Sequence, residues 1–153
     1  MNLIGTFEGW VPTTTDLYLR GNNAAGFTAL EPSSANNVVS FETGQLRLET
    51  PNGGSITYGA IASANLTGLS RVNIQGSLYL RNSHSSTSSI IYIEVRTSKT
   101  DYSGSASAKL SGSYDVGSTF TLSVDVSAID AVRWIRVYTG TGWGAYIYRI
   151  WLS

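Results

Sequence analysis

Residues 134–152 read WIRVYTGTGWGAYIYRIWL, and this stretch decides the fold that the sequence predicts. Two apolar and aromatic runs, 134–138 and 145–152, flank a segment at 140–144 in which three of five residues are glycine. Two strand-like runs joined by a short glycine-rich segment are typical of a β-hairpin. The sequence therefore predicts a C-terminal hairpin around which the other strands are arranged.

The first run alternates in character along its length. Ile135 and Val137 fall on one face because successive side chains of a strand point to opposite faces. Trp134, Arg136 and Tyr138 fall on the other. Two large aromatic rings left in water would expose apolar area of the kind that marks interaction sites. This face is the first predicted binding surface.

The second run is apolar on both faces, which is typical of a strand covered on both sides. Simple alternation divides its residues into an inward and an outward set. The inward set is Tyr146, Tyr148, Ile150 and Leu152, and the outward set is Ala145, Ile147, Arg149 and Trp151.

The same period of two recurs along the rest of the chain, and no run places apolar residues at helical spacing over three turns. Further strands are predicted at 3–10, 38–41, 45–50, 55–61, 72–81, 90–96, 108–111 and 120–126. Nine to eleven short strands with one apolar face each predict an all-β protein. We expect a single domain over 1–153, an antiparallel β-sandwich of jelly-roll type.

Composition excludes several kinds of partner. Ten basic and ten acidic residues cancel, so no long-range field attracts nucleic acid or an anionic membrane. The chain has no cysteine, which excludes disulfides and thiolate metal sites. Residues 1–12 do not read as a signal peptide, and no window has the roughly 18 apolar residues of a membrane helix. We expect no nucleic-acid or membrane partner.

The first strand carries a family resemblance. Asn2-Leu3-Ile4-Gly5-Thr6-Phe7-Glu8-Gly9-Trp10 resembles the start of jelly-roll carbohydrate-binding modules of the galactose-binding-like type. The stretches 44–48 and 145–152 resemble a later strand and the closing strand of such modules. The resemblance implies a non-catalytic domain that binds a glycan. Similar sandwiches occur in bacteriophage tail and baseplate proteins, which implies an extracellular or virion-associated location.

The same resemblance bears on calcium. In that family an N-terminal glutamate and an aspartate near the C-terminus commonly hold a structural calcium ion. Glu8 matches the glutamate, whereas Tyr148, Arg149 and Ile150 stand where the second acid is expected. Calcium is therefore left open with Glu8 as its candidate ligand, and no other cofactor is expected.

Sugar recognition needs a flat ring for the apolar face of a pyranose and polar groups for its hydroxyls. Nine residues on outward faces or at a loop tip supply these groups and form one platform if their strands share a sheet. They are Trp134, Arg136, Tyr138, Tyr79, Arg81, Tyr92, Glu94, Arg96 and Trp143. The alternative is a structural or oligomerising domain of a phage tail or surface assembly, with the same face buried between subunits of a homo-oligomer.

Catalytic patterns are weak by comparison. A glycosidase uses two neighbouring carboxylates, and no Glu-x-Asp or Asp-x-Glu pair exists. His84 lies in a serine-rich loop without the third group that orients a catalytic triad. The glycines at 140–144 are not accompanied by the lysine of a phosphate-binding loop. We expect no catalytic residue.

Overall fold

The computed structural model describes residues 15–30, 37–50, 58–80, 88–101 and 104–153. These ranges contain no helix, and the all-β prediction is confirmed. They hold eleven strands: β1 (Thr15–Leu19), β2 (Thr28–Ala29), β3 (Val38–Glu42), β4 (Gln45–Glu49), β5 (Ala60–Asn65), β6 (Arg71–Leu80), β7 (Ser88–Arg96), β8 (Ala108–Asp115), β9 (Thr119–Asp125), β10 (Val132–Thr139) and β11 (Trp143–Leu152).

The strands form two antiparallel sheets. Sheet A has the order β3-β4-β11-β6-β9, with β1 also paired to β11, and sheet B has the order β2-β5-β10-β7-β8. The alternation seen in the sequence supplies the core, since Leu46, Ile74 and Ile147 of sheet A and Ile93 and Ile135 of sheet B are fully buried. Burial stabilises by about 1.5–3 kcal/mol for each such side chain. The predicted β-sandwich is confirmed.

The two C-terminal runs do not form the predicted hairpin. Strand β10 pairs with β5 and β7 in sheet B, whereas β11 pairs with β4, β6 and β1 in sheet A. The segment between them therefore crosses from one sheet to the other. Its ends are held by Gly140 N, which donates to Ile90 O at 2.9 Å, and Gly142 N, which donates to Thr50 O at 2.8 Å. A strand-glycine-strand pattern indicates a turn, but it does not say whether the chain returns to the same sheet.

Strand β11 changes its inward positions partway along. Ala145 and Ile147 are buried before the change, and Ile150 and Leu152 are buried after it. The register against β6 shifts between Ile147 and Arg149, which leaves Tyr148 as the extra residue of a β-bulge. One extra residue moves the inward set from odd to even positions.

This bulge overturns part of the predicted division of β11. Tyr146 and Tyr148 are half-exposed on the outer face of sheet A and do not enter the core. The hydroxyls of Tyr148 and Ser77 lie 2.9 Å apart on that face. Ala145 and Ile147, predicted to face outward, are fully buried. The inward residues have odd numbers before the bulge and even numbers after it. Regular alternation counted along the sequence therefore places apolar residues on both faces.

The predicted strands 38–41 and 45–50 form a hairpin. Strands β3 and β4 pair from Val38 with Glu49 to Glu42 with Gln45. Gly44 occupies the turn at φ 79°, a conformation that glycine adopts without strain. Sheet A therefore extends outward from β11 through β4 to β3.

Candidate functional site

Six of the predicted site residues lie together on the outer face of sheet B. The pairing of β10 with β7 aligns them in three rows, with Ile135 and Val137 turned to the core between them. The rows are Trp134 with Arg96, Arg136 with Glu94, and Tyr138 with Tyr92. We call this surface, together with Lys109 of β8, the β7–β10 face.

Tyr79 does not belong to this surface. It lies on β6 in sheet A, so the expectation that strands 79–81, 92–96 and 134–138 share one sheet is wrong. Its ring stacks on Tyr146 with centroids 4.6 Å apart. Its hydroxyl donates to Glu49 Oε1 at 2.8 Å and accepts from Arg47 Nε at 3.1 Å. Alternation identifies the face of a strand but not its sheet, which is why sequence reasoning placed Tyr79 with the others.

Trp143 begins β11 in sheet A, yet its ring lies near the end of the β7–β10 face. An added Cβ on Gly140 would come 3.1 Å from Trp143 Cδ1 and 3.6 Å from Ile90 Cβ. Gly140 lies two residues from Tyr138 along the chain, just after the end of β10, and Ile90 lies two residues from Tyr92 on β7. The predicted candidates Arg81 and Glu8 lie outside the described residues.

Glu94 is the centre of the β7–β10 face and is only 1% exposed. Its carboxylate accepts hydrogen bonds from Arg96 Nε, from Arg136 at 3.2 Å and from the Tyr138 hydroxyl at 3.1 Å. Lys109 Nζ lies 3.6 Å from the same group. Burial alone would raise the pKa of Glu94, but the hydrogen bond from Arg96 and the charge of Arg136 outweigh it, so the pKa lies below its ordinary value. Glu94 is therefore a charged anchor.

The aromatic rings of the face are held by their neighbours. Tyr92 and Tyr138 stack with centroids 4.7 Å apart and planes within 6° of parallel. The guanidinium carbon of Arg136 lies 3.8 Å from the centre of the Tyr138 ring. The Tyr92 ring and the Arg136 guanidinium are too large to lie on the same side of the Tyr138 ring at these distances. The Tyr138 ring is therefore enclosed between them. Burial raises the pKa of the Tyr138 hydroxyl, which stays protonated and donates to Glu94.

Two lysines of the site were not among the predicted residues. Lys109 is placed opposite Glu94 by the pairing of β8 with β7, and its side chain is 49% exposed. Lys99 lies in the connection between these strands, with Nζ 5.3 Å from the centre of the Trp134 ring. A cue for Lys109 existed, because pairing the predicted strands 90–96 and 108–111 as neighbours brings it close to Glu94.

Burial divides the face into support and contact groups. Arg136 is 3% exposed and Glu94 is 1% exposed, so both act from beneath the surface. Trp134 and Tyr92 are partly exposed, and about half of the Lys109 side chain is exposed. This arrangement can offer aromatic faces and cationic donors above a buried ion-pair cluster.

Among the described residues, no three His, Cys, Asp or Glu side chains are placed to hold a metal ion. Within the described ranges, no helix is long and apolar enough to span a membrane.

Comparison with protein-family models gave no match, and comparison with curated protein sequences gave none either. Solved structures do match. One is the xylan-binding domain of a family 22 carbohydrate-binding module from Paenibacillus barcinonensis Xyn10C, with a TM-score of 0.55 and 10% identity over 92% of this chain and 97% of that one.

Two further matches have similar statistics. An arginine-to-alanine variant of a family 29 module, made to probe the mechanism of ligand recognition, has a TM-score of 0.52 and 13% identity over 93% of this chain and 92% of that one. A family 4 module has a TM-score of 0.52 and 13% identity over 89% of this chain and 83% of that one. The chain therefore has the jelly-roll β-sandwich fold found in carbohydrate-binding modules of families 4, 22 and 29.

Proposed function

We propose that this chain is a non-catalytic carbohydrate-binding domain whose glycan lies across the β7–β10 face. The observation that carries the proposal is the Glu94 cluster, which fixes a tyrosine pair from below on the outside of a sheet. Rings held in place before binding lose little conformational freedom when a ligand stacks on them. The solved structures with this fold support the proposal because they are described as carbohydrate-binding modules.

Each group has a role that follows from its exposure. Trp134 and Tyr92 offer ring faces to the apolar side of a pyranose. Lys109 and Arg96 donate hydrogen bonds to sugar oxygens. Glu94 and Arg136 hold these groups in register, and Trp143 closes the end of the face beyond Tyr92.

The charge arrangement supports binding without catalysis. In the ion-pair cluster of the β7–β10 face, Glu94 is the carboxylate shared by three cations. Hydrolysis of a glycosidic bond uses two carboxyl groups in distinct protonation states. A carboxylate with a lowered pKa that is buried under its partners is unsuited to act as the general acid. A protein that binds a glycan is consistent with an extracellular or virion-associated location.

The test is a glycan array followed by titration calorimetry on the polysaccharide that binds best. Trp134→Ala is expected to weaken binding at least about tenfold, since a buried tryptophan contact is worth about 2 kcal/mol or more. Trp151→Ala is the matched control, because Trp151 lies on the outer face of sheet A under Arg149. Circular dichroism and the melting temperature of each variant show that it remains folded.

Two results would contradict the proposal. The first is unchanged glycan binding by a folded Trp134→Ala protein. The second is an array without any hit together with a stable dimer or trimer in light scattering that Trp134→Ala dissociates. That second outcome would assign the β7–β10 face to an interface between subunits.

A further inference from the structure

We propose that the glycan bound by the β7–β10 face is anionic, a polysaccharide that carries carboxylate groups such as those of uronic acids. This inference rests on the proposed function and names the chemical class of its ligand.

Several cations lie on the β7–β10 face. The whole chain has ten basic and ten acidic residues. In the Glu94 cluster, however, Arg96, Arg136 and Lys109 all lie within 4 Å of a single carboxylate. A balanced protein with a cationic patch of this kind has a surface matched to an anion.

Burial strengthens the electrostatic interactions of the charged groups in this cluster. Arg136 and Glu94 are almost fully buried, and Arg96 has a side chain that is 14% exposed. Charges repel or attract more strongly here than in water because the surroundings have a lower effective dielectric constant. An anion placed over Lys109 and Arg96 offsets the repulsion among the three cations, whereas a neutral sugar does not.

Cations also lie against the rings on which a sugar would stack. Lys99 Nζ is 5.3 Å from the centre of the Trp134 ring, and Lys109 Nζ is 5.4 Å from that of Tyr92. A neutral pyranose that stacks on either ring has to displace an ammonium group from it and lose the cation–π attraction. A uronic acid offers its C–H face to the ring and its carboxylate to the displaced lysine. The pairing of each ring with a lysine therefore favours an acidic sugar over a neutral one.

The test compares two polymers that differ only in charge. Polygalacturonate and the same preparation after chemical reduction of its carboxyl groups are titrated into the protein at about 0.01 M and about 0.15 M ionic strength. The Debye length falls from about 30 Å to about 8 Å over this range. We expect the charged polymer to bind at least about tenfold more tightly at low salt, and the difference to shrink at high salt.

Two charge-removing variants locate the effect. Lys109→Gln is expected to weaken binding of polygalacturonate about three- to tenfold, and to weaken binding of the reduced polymer by a smaller factor because only the hydrogen bond is changed there. Arg71→Gln is the matched control, because it removes one positive charge from an exposed position on β6 in sheet A. Lys99→Gln repeats the test at the Trp134 end. Alginate and hyaluronate extend the comparison to other carboxylated backbones.

The outcomes separate this inference from the proposed function. Equal binding of the charged and reduced polymers, or equal losses for Lys109→Gln and Arg71→Gln, would overturn the anionic ligand. Binding to neutral xylan or glucan that is lost in Trp134→Ala and does not change with ionic strength would also overturn the anionic ligand. That result would leave the proposed function in place. Absence of binding to every glycan would remove both.

Discussion

The Tyr138 hydroxyl donates a 3.1 Å hydrogen bond to Glu94 Oε2, the oxygen that also accepts from Arg136. Tyr138 stacks in turn on Tyr92, so one carboxylate oxygen controls the position of two rings. The link runs diagonally, because Tyr138 is paired with Tyr92 and Glu94 with Arg136 in the sheet register. Loss of this carboxylate should loosen the whole β7–β10 face.

Replacement of Glu94 by Gln is expected to lower the free energy of unfolding by about 3 kcal/mol. Removal of one partner from a buried ion pair leaves uncompensated charge and typically costs about 3–5 kcal/mol, and the partial exposure of Arg96 and Lys109 places this case at the low end. Urea denaturation measures the change. Glu42→Gln is the control, since its 3.7 Å pair with Arg47 is partly exposed and worth less than about 1 kcal/mol. Equal effects of the two variants would contradict the central role of Glu94.

The stability contributed by Glu94 should depend on pH with a defined sign. The folded-state pKa of Glu94 lies below its ordinary value of 4.5, so the unfolded chain binds a proton first as the pH falls. The difference in unfolding free energy between wild type and Glu94→Gln therefore has its maximum value above pH 4.5. It decreases as the pH falls through the folded-state pKa of Glu94. Denaturation curves from pH 3 to 7 measure it, and a difference that grows toward low pH would refute the assignment.

Three glycines should tolerate alanine to different degrees. A Cβ on Gly76 would overlap the backbone oxygen of Tyr146, and one on Gly144 would overlap the Tyr79 ring, whereas Gly104 has open space around it. Gly76→Ala requires a backbone shift, so we expect it to cost more than Gly144→Ala, which we place at about 1–3 kcal/mol. Gly104→Ala should be nearly neutral. Thermal unfolding ranks the variants, and a neutral Gly76→Ala would show that β6 and β11 are less closely paired than they are here.

Deletion of Tyr148 should be tolerated better than deletion of Tyr146. Without Tyr148 the strand alternates regularly, and Ile147 and Ile150 still point inward. Without Tyr146, regular alternation counted back from Ile150 turns Ile147 outward. The first deletion is expected to cost about 1 kcal/mol for the lost contact with Ser77, and the second several times more. Similar melting temperatures for the two deletions would argue against the bulge.

Sequence patterns predicted the faces of strands well and their partners less well. Ile135 and Val137 were assigned to the core from alternation, and both are fully buried. Alternation is a local property, since each side chain points to one side of its own strand. Whether Tyr79 and Tyr92 share a sheet depends on contacts between distant segments, and no local pattern records these.

Three other differences have separate causes. The glycines at 140–144 permit a tight change of direction, but the crossing to sheet A depends on contacts with distant segments, among them the hydrogen bond from Gly142 to Thr50. The bulge at Tyr148 adds one residue to β11 without a change in composition, so regular counting assigned the wrong face to Tyr146. Lys109 was overlooked because a single lysine on a weak strand carries no pattern of its own.

Strand β11 pairs with β4, β6 and β1, and this pairing has a consequence for folding kinetics. Sheet A joins segments that lie far apart in sequence, such as 15–19 and 143–152, and it cannot close until the later segment has been synthesised. Folds dominated by such distant pairings refold over milliseconds to seconds. Until β11 has been synthesised, the edges of β4 and β6 lack the strand that will pair with them. The nascent chain is therefore most prone to aggregate before that point.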